Sequence, residues 1–337
     1  MSFNRLAPED FVVSSDSITA PIWSEGSPSL TVFYSSSVQE AGSSGDFYLN
    51  IYQTASTSNN AEVQFAIAYG DSLGSGSSLY NAAVAGASPT KTTYGQYRNL
   101  ILGDENSNFI FGGATSSNFW VISVDRNRYK ESLLPGTMTL ILSSSVAGQK
   151  PLYLTDNSNA VPSIVFNDAG RVFQLVSGSA GTVYTGNNSS GYSTNNGSYG
   201  WFLPDIATIL INPNAVSESI RLNPNRSNNS DGLNYRALYN ALNLGGGFTM
   251  NSQETVSSDY IFIRARNAEF NYSENPSFIS GSTGEVTFNN FINNPQTFPT
   301  TIGLYNDNNE LLAVAKLSRP LLKDFTKEAL VRVKLDF

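Results

Sequence analysis

The last seven residues, Val331-Arg-Val-Lys-Leu-Asp-Phe337, alternate apolar and charged side chains without a break. A period of two marks a β-strand with one buried face, because successive side chains point to opposite sides of the backbone. A helix would scatter Val331, Val333, Leu335 and Phe337 around its circumference. Chain ends fray unless something holds them, so a strand running to Phe337 is expected to dock into a sheet. Just upstream, residues 301–305 and 311–317 flank Asn306-Asp-Asn-Asn-Glu310, an apolar–polar–apolar pattern that predicts a hairpin with a polar loop.

Composition extends this β reading to the whole chain. With 337 residues the chain can bury a large core. Only 14% of residues are charged, yet aromatics reach 12% and are spread throughout, which argues against disorder. Polarity comes from Ser, Thr, Asn and Gly, residues of strand surfaces and turns. The expected class is mainly β: two or three β-sandwich-like domains with a few short helices. The expected divisions are 1–145, 146–250 and 251–337.

Candidate strands in the first part are residues 29–35, 46–53, 63–69, 108–111, 118–124 and 137–142. A helix is predicted after Ser88-Pro89, with Tyr94, Tyr97, Ile101 and Leu102 on one face and Gly103 at its end. A second is predicted after Asp231, with Leu233, Ala237, Ala241 and Leu244 on one face and Gly245 closing it. Residues 177–200 form a Ser/Gly/Asn-rich loop carrying Tyr184, Tyr192 and Tyr199, expected either to lie on a neighbouring surface or to be a mobile excursion. The segment from Trp201 to Ile211 is apolar and expected to be buried. Residues 260–272 suggest one long strand whose apolar parity switches near Arg266-Asn267, as a β-bulge would produce. Four Asn-Pro pairs, at Asn212, Asn223, Asn275 and Asn294, are expected to start turns.

The chain has no Cys and no His. That removes disulfides, thiolate chemistry, the Ser-His-Asp triad, the commonest general base and ordinary zinc sites. No Gly-Lys dipeptide exists to form a phosphate loop, and Gly74-Ser-Gly76 lacks a third glycine. Carboxylate-only glycoside hydrolysis needs no His, and Asp10, Asp16, Glu25, Asp104, Glu105, Glu269 and Glu274 are its candidates. Among these, Glu269 and Glu274 flank a Phe-Asn-Tyr-Ser stretch suited to a sugar. Asp307-Asn-Asn-Glu310 has oxygen ligands but not the spacing of a calcium loop. Tyr48, Tyr52, Trp120 and Trp201 are candidate glycan-stacking residues, or core. No catalytic residue, cofactor or metal is expected.

Net charge is −8, which disfavours nucleic acid as a partner. From Lys316 onward, six basic residues (Lys316, Arg319, Lys323, Lys327, Arg332, Lys334) face three acidic ones, a net +3, leaving −11 for the rest. An acidic body with a basic end suits docking on copies of itself or on an acidic neighbour. Asp125-Arg-Asn-Arg-Tyr-Lys-Glu131 and Arg264-Ala-Arg266 are further candidate ion-pair or interface anchors. Interface residues are therefore expected among Arg264, Arg266, Lys316, Arg319, Arg332, Lys334 and Phe337. The N-terminus lacks a signal-peptide pattern, and no apolar run is long enough to span a bilayer, so a soluble chain without membrane partners is expected.

Several stretches together resemble a family of virion structural proteins from large contractile-tailed bacteriophages. They are Phe270-Asn-Tyr-Ser-Glu-Asn-Pro-Ser-Phe278, Asn294-Pro-Gln-Thr-Phe-Pro-Thr-Thr-Ile-Gly-Leu-Tyr-Asn306, Leu311-Leu-Ala-Val-Ala-Lys-Leu-Ser-Arg-Pro320 and the terminal strand. Trp201-Phe-Leu-Pro-Asp205 and Asp10-Phe-Val-Val-Ser-Ser-Asp-Ser-Ile18 belong to the same likeness. It covers about the last quarter of the chain closely and brings no catalytic residues. What it implies is a non-enzymatic subunit of the tail or baseplate, present in multiple copies and made in the host cytoplasm. The alternative is a receptor-contacting fibre, head decoration or carbohydrate-binding module.

Overall fold

The computed structural model describes residues 4–36, 48–76, 88–187, 191–227, 231–273 and 275–336. The chain is mainly β, with few short helices. It divides into two compact units, one of Ile18–Glu254 and one that joins Met1–Ser17 to Thr255–Phe337.

The larger unit is built on one curled antiparallel sheet. Its strands follow the order Ser29–Leu30, Gly247–Thr249, Thr139–Leu142, Leu152–Asp156, Gly170–Ser179, Gly200–Leu203, Thr208–Ile211, Asn118–Val124, Val63–Asp71, Leu49–Tyr52 and Tyr34–Ser35. Phe248, second strand in that order, lies 5.6 Å ring to ring from Phe65, ninth in the order, so the sheet curls until its two ends share a core. Trp23 fills the same junction, 4.8 Å from Phe248.

The central strands are buried on both faces. Trp120 and Ile122 belong to one apolar cluster, Phe119 and Val121 to another; since alternate residues face opposite ways, the clusters lie on the two sides of the sheet. Ile209-Leu210-Ile211 divides in the same way. This explains why these strands read as unbroken apolar runs instead of alternating. Helix Thr90–Leu102 supplies Tyr94 and Ile101 to one cluster, and helices Pro213–Ile220 and Asn234–Gly245 supply Val216, Leu238 and Leu242 to the other.

Several expectations shift by a residue or a face. The first helix is capped at Pro89, not Ser88, whose hydroxyl donates instead to Asp231; Gly103 closes it in the left-handed region as expected. In helix Asn234–Gly245 the buried stripe is Tyr235, Leu238, Ala241 and Leu242, while Leu244 is exposed. Asn212-Pro213 starts a helix, not a mere turn: the Asn212 side chain accepts from the Asn214 amide at 3.1 Å and Pro213 occupies the first helical turn. The division expected near 145 falls inside the hairpin pairing Leu140 with Leu154, so residues 18–254 form one unit. The later division falls at residues 254 and 255, close to the expected 250, but the first 17 residues join the C-terminal unit.

The loop after Gly170–Ser179 is largely spent on its own unit. Tyr199 is buried in the core with its hydroxyl on Ser219, and the Tyr192 hydroxyl donates to the Gly112 carbonyl. Tyr184 stays exposed beside Tyr153. The loop ends at Gly200, whose φ of +141° and approach to the Leu210 carbonyl leave no room for a side chain.

In the smaller unit, the strand Phe11–Pro21 pairs with the long strand Asn251–Ala265, which pairs on its other side with the closing strand Ala329–Asp336. The hairpin Thr301–Tyr305 with Leu311–Lys316 forms as the sequence predicts. The expected bulge near Arg266-Asn267 does not occur. The long strand ends at Ala265 and the chain turns, with Glu269 N donating to Arg266 O and Phe270 at a φ of +52°. That turn accounts for the parity switch read from the sequence.

Candidate assembly surface

The closing strand pairs with the long strand over eight residues, from Ser258↔Asp336 to Ala265↔Ala329. Directly opposed residues in an antiparallel pair share a face, so the register sorts the side chains. Ile261, Ile263 and Ala265 lie with Ala329, Val331, Val333 and Leu335. Tyr260, Phe262 and Arg264 lie with Leu330, Arg332 and Lys334 on the other side. The alternation that predicted a strand thus separates an apolar face from a cationic one.

The apolar face is only partly covered. Ile261, Ala329 and Val333 are buried, but the face opens into a cavity of about 2080 Å³ lined also by Phe11, Ile302 and Leu304. Leu312 and Val314 of the hairpin are exposed.

On the cationic face, the Tyr260 ring lies 5.4 Å from the Arg332 guanidinium and 5.9 Å from the Lys334 ammonium. Lys334 Nζ is 2.9 Å from Asp336, which also accepts from the Ser258 hydroxyl at 2.7 Å. The hydrogen bond from Lys334, then that from Ser258, holds the Asp336 carboxyl below the usual range; the same pairing raises Lys334. Both side chains are exposed, so this pair orients the surface more than it stabilises the fold.

The structure therefore brings Arg264, Arg332 and Lys334 onto one sheet face. Arg266 lies beyond the strand end, its amide donating to Glu269 Oε2 at 2.8 Å. Lys316 ends the hairpin and Arg319 follows it, both exposed and neither in that sheet. Phe337 lies outside the described residues. Lys323, counted with the basic end, is 1% exposed, its ammonium donating to Asn267 O, Asn271 Oδ1 and Asp324 O at 2.9–3.0 Å. It is an internal cross-link and adds nothing to the surface.

The strand Phe11–Pro21 was missed as an element by sequence reasoning. Its signal was the β-favouring run Phe11-Val12-Val13, with Ile18-Thr19 further along. Ten of its eleven residues are exposed, and Val13 reaches 73%. In the sheet order it forms one edge and the closing strand the other, with the long strand between them.

No family model matches the chain, and no curated protein or solved structure is significantly similar to it.

The remaining candidates resolve into structural roles where their partners are visible. Glu269 accepts from the Arg266 amide, Asp10 from Ala7 N, and Asp104 from Asn106 N and the Ser107 hydroxyl. Asp16 and Glu105 are exposed, Glu25 sits at a φ of +61°, and Glu274 lies outside the described residues. In the 306–310 loop, Asn306 Oδ1 accepts from the Asn308 and Glu310 amides, a turn stabilised by its own side chain. Asp125 caps a short helix at Asn127 N, and Arg128 pairs with Glu62 at 2.7 Å. Trp120 is core and donates to Asn234 O at 2.8 Å, and Trp201 packs edge-on to Phe111; Tyr48 remains exposed. Among the described residues no group of three or more His, Cys, Asp or Glu is placed to hold a metal. No helix among them is long and apolar enough to cross a membrane.

Proposed function

We propose that the chain is a non-enzymatic structural subunit of a tailed-bacteriophage virion, placed in the tail or baseplate and acting through protein–protein assembly. The observation that carries this reading is the open sheet of the smaller unit. Two strand edges with no neighbouring strand among the described residues, and a half-covered apolar face, are features that permanent assemblies use and that lone soluble proteins suppress. The resemblance of the terminal segments to contractile-tail virion proteins supplies the assembly's identity. The absence of His and Cys from all 337 residues supports a role without side-chain catalysis of the common kinds.

The test is to image purified particles of the phage encoding the chain, with an antibody or tag on the chain. Label on the tail or baseplate in stoichiometric amounts is the expected result. Particles that form, infect and carry no label would overturn the reading. Deleting residues 331–337 removes six of the eight residue pairs between the closing and long strands and should abolish incorporation.

A further inference from the structure

Among the described residues the smaller unit's sheet has an unpaired edge on each side, and the two differ in character. The strand Phe11–Pro21 carries none of the devices that blunt an edge: no Lys, no Arg, and Pro only as its last residue. Its single charge is Asp16, and Glu9 and Asp10 precede it. The closing strand carries Arg332 and Lys334, exposed on the edge opposite. One edge is therefore acidic and apolar, the other basic and apolar, in a chain of net charge −8 whose residues from Lys316 onward carry a net +3.

We propose that copies of this chain join head to tail, the edge of residues 11–17 in one copy pairing with the edge of Ala329–Asp336 in the next. The sheet would then continue from copy to copy by β-addition. Seven paired residues give a seam about 23 Å long, and facing side chains meet at about 5 Å. Lys334 is raised mainly by its bond to Asp336, with a smaller contribution from Asp16 across the intervening long strand. Within one copy those strands are two spacings apart, about 10 Å; edge-to-edge docking halves that separation and strengthens the attraction.

Charge decides between the possible pairings. Two closing strands placed together would oppose Arg332 and Lys334 to their own kind, which is destabilising. Two N-terminal strands placed together would leave both basic edges open. Head-to-tail pairing uses both edges and sets opposite charges side by side. Such a contact is heterologous, so it generates rings or filaments.

This inference does not rest on the virion assignment, because it is read on the purified full-length chain. Sedimentation from 1 to 100 µM should show a mass that rises above the 36.4 kDa of one chain and falls as salt is raised. The double variant R332E/K334E makes both edges acidic, and S14K/D16K makes both basic. Each alone should associate at least roughly tenfold more weakly, and mixing the two should restore association, since each then offers the edge the other lacks. Should the reversed variants fold poorly by circular dichroism, R332Q/K334Q removes the attraction without new repulsion and should weaken association in the same direction. A single-chain mass throughout the range, variants that associate like the parent chain, or a mixture no better than its components would each overturn the proposal. Failure of particle labelling would leave these results untouched, so the two readings fail separately.

Discussion

The larger unit buries most of its large apolar side chains, although Leu73, Val165, Phe166 and Leu244 are among those left exposed. Trp120, Phe65, Phe119, Phe202 and Phe248 are all fully buried, and Phe109 meets Phe119 edge to face at 4.8 Å. In the smaller unit the buried hydrophobics are Ile261, Ala329 and Val333, while Val13, Ile292, Leu312 and Leu330 stand in solvent, Leu312 at 68%. Both units are built from antiparallel strands, so strand formation by itself does not explain the contrast. What differs is cover. The large sheet curls on itself and is roofed by helices on both faces, whereas the smaller sheet ends in two open edges. A unit that keeps its apolar side chains outside gains little from folding alone and more from a neighbour. The difference is what the proposed assembly role of the smaller unit rests on.

The sharpest way to break that comparison is to hollow out both cores. Trp120→Ala removes a fully buried ring and its bond to the Asn234 carbonyl, and should cost about 3–5 kcal/mol in urea unfolding. A loss under about 1 kcal/mol would show that the large core is not the anchor it is taken for. In the smaller unit the equivalent interior element is polar. Lys323→Ala strips three oxygens of their donor in bonds that are buried or part-buried and should cost about 2–3 kcal/mol. Lys323→Met keeps the apolar stem, so the difference between the two variants isolates the ammonium from its packing.

The sequence reveals the two regions unequally. The closing strand and the hairpin were legible as contiguous patterns with polar punctuation, and Asn118–Val124 as a short, mostly apolar run of β-favouring residues. The basic cluster was partly legible: Arg332 and Lys334 share a parity, but only the register with the long strand adds Arg264 and places Tyr260 between the cations. Lys323 could not be told from its neighbours, since nothing local distinguishes a lysine whose acceptors, Asn267 and Asn271, lie more than fifty residues away. The strand Phe11–Pro21 escaped because both its faces are exposed, and a strand with no buried side need show no alternation. The helix at Pro213 escaped because Asn-Pro opens turns and helices alike; the four apolar residues that follow at helical spacing, Ala215, Val216, Ile220 and Leu222, were the unused signal.

Acid sharpens the comparison from the electrostatic side. In the larger unit Asp205 is pushed upward by partial burial, but hydrogen bonds and charge from Arg171 outweigh this and hold it below the ordinary aspartate value. Its carboxylate accepts from Arg171 Nε at 2.9 Å and from the Arg171 amide at 2.7 Å. A depressed folded value means the stabilisation is present above the unfolded pKa, about 3.9, and is lost as pH falls through the folded one. Asp205→Asn should therefore lower stability at pH 7 and flatten its decline below about pH 4. An unchanged acid limb would show that the Arg171 pair contributes nothing. Asp336 in the smaller unit is depressed as well, yet it is exposed, so Asp336→Asn should leave the acid limb nearly unmoved.

The smallest effect discriminates most between a thin core and a joining surface. Val13→Lys and Leu330→Lys each place a cation where an apolar side chain already stands in solvent, so the unfolding free energy should change by no more than about 0.5 kcal/mol. The same exchange at Phe65, which is fully buried, would strand a charge in the core and should prevent folding. If Val13→Lys proved as costly as a core substitution in dilute, single-chain conditions, the strand Phe11–Pro21 would have a hidden partner within its own chain. If its cost is small in dilute solution and grows with protein concentration, what covers Val13 is another molecule, and the apolar surplus of the smaller unit belongs to an interface.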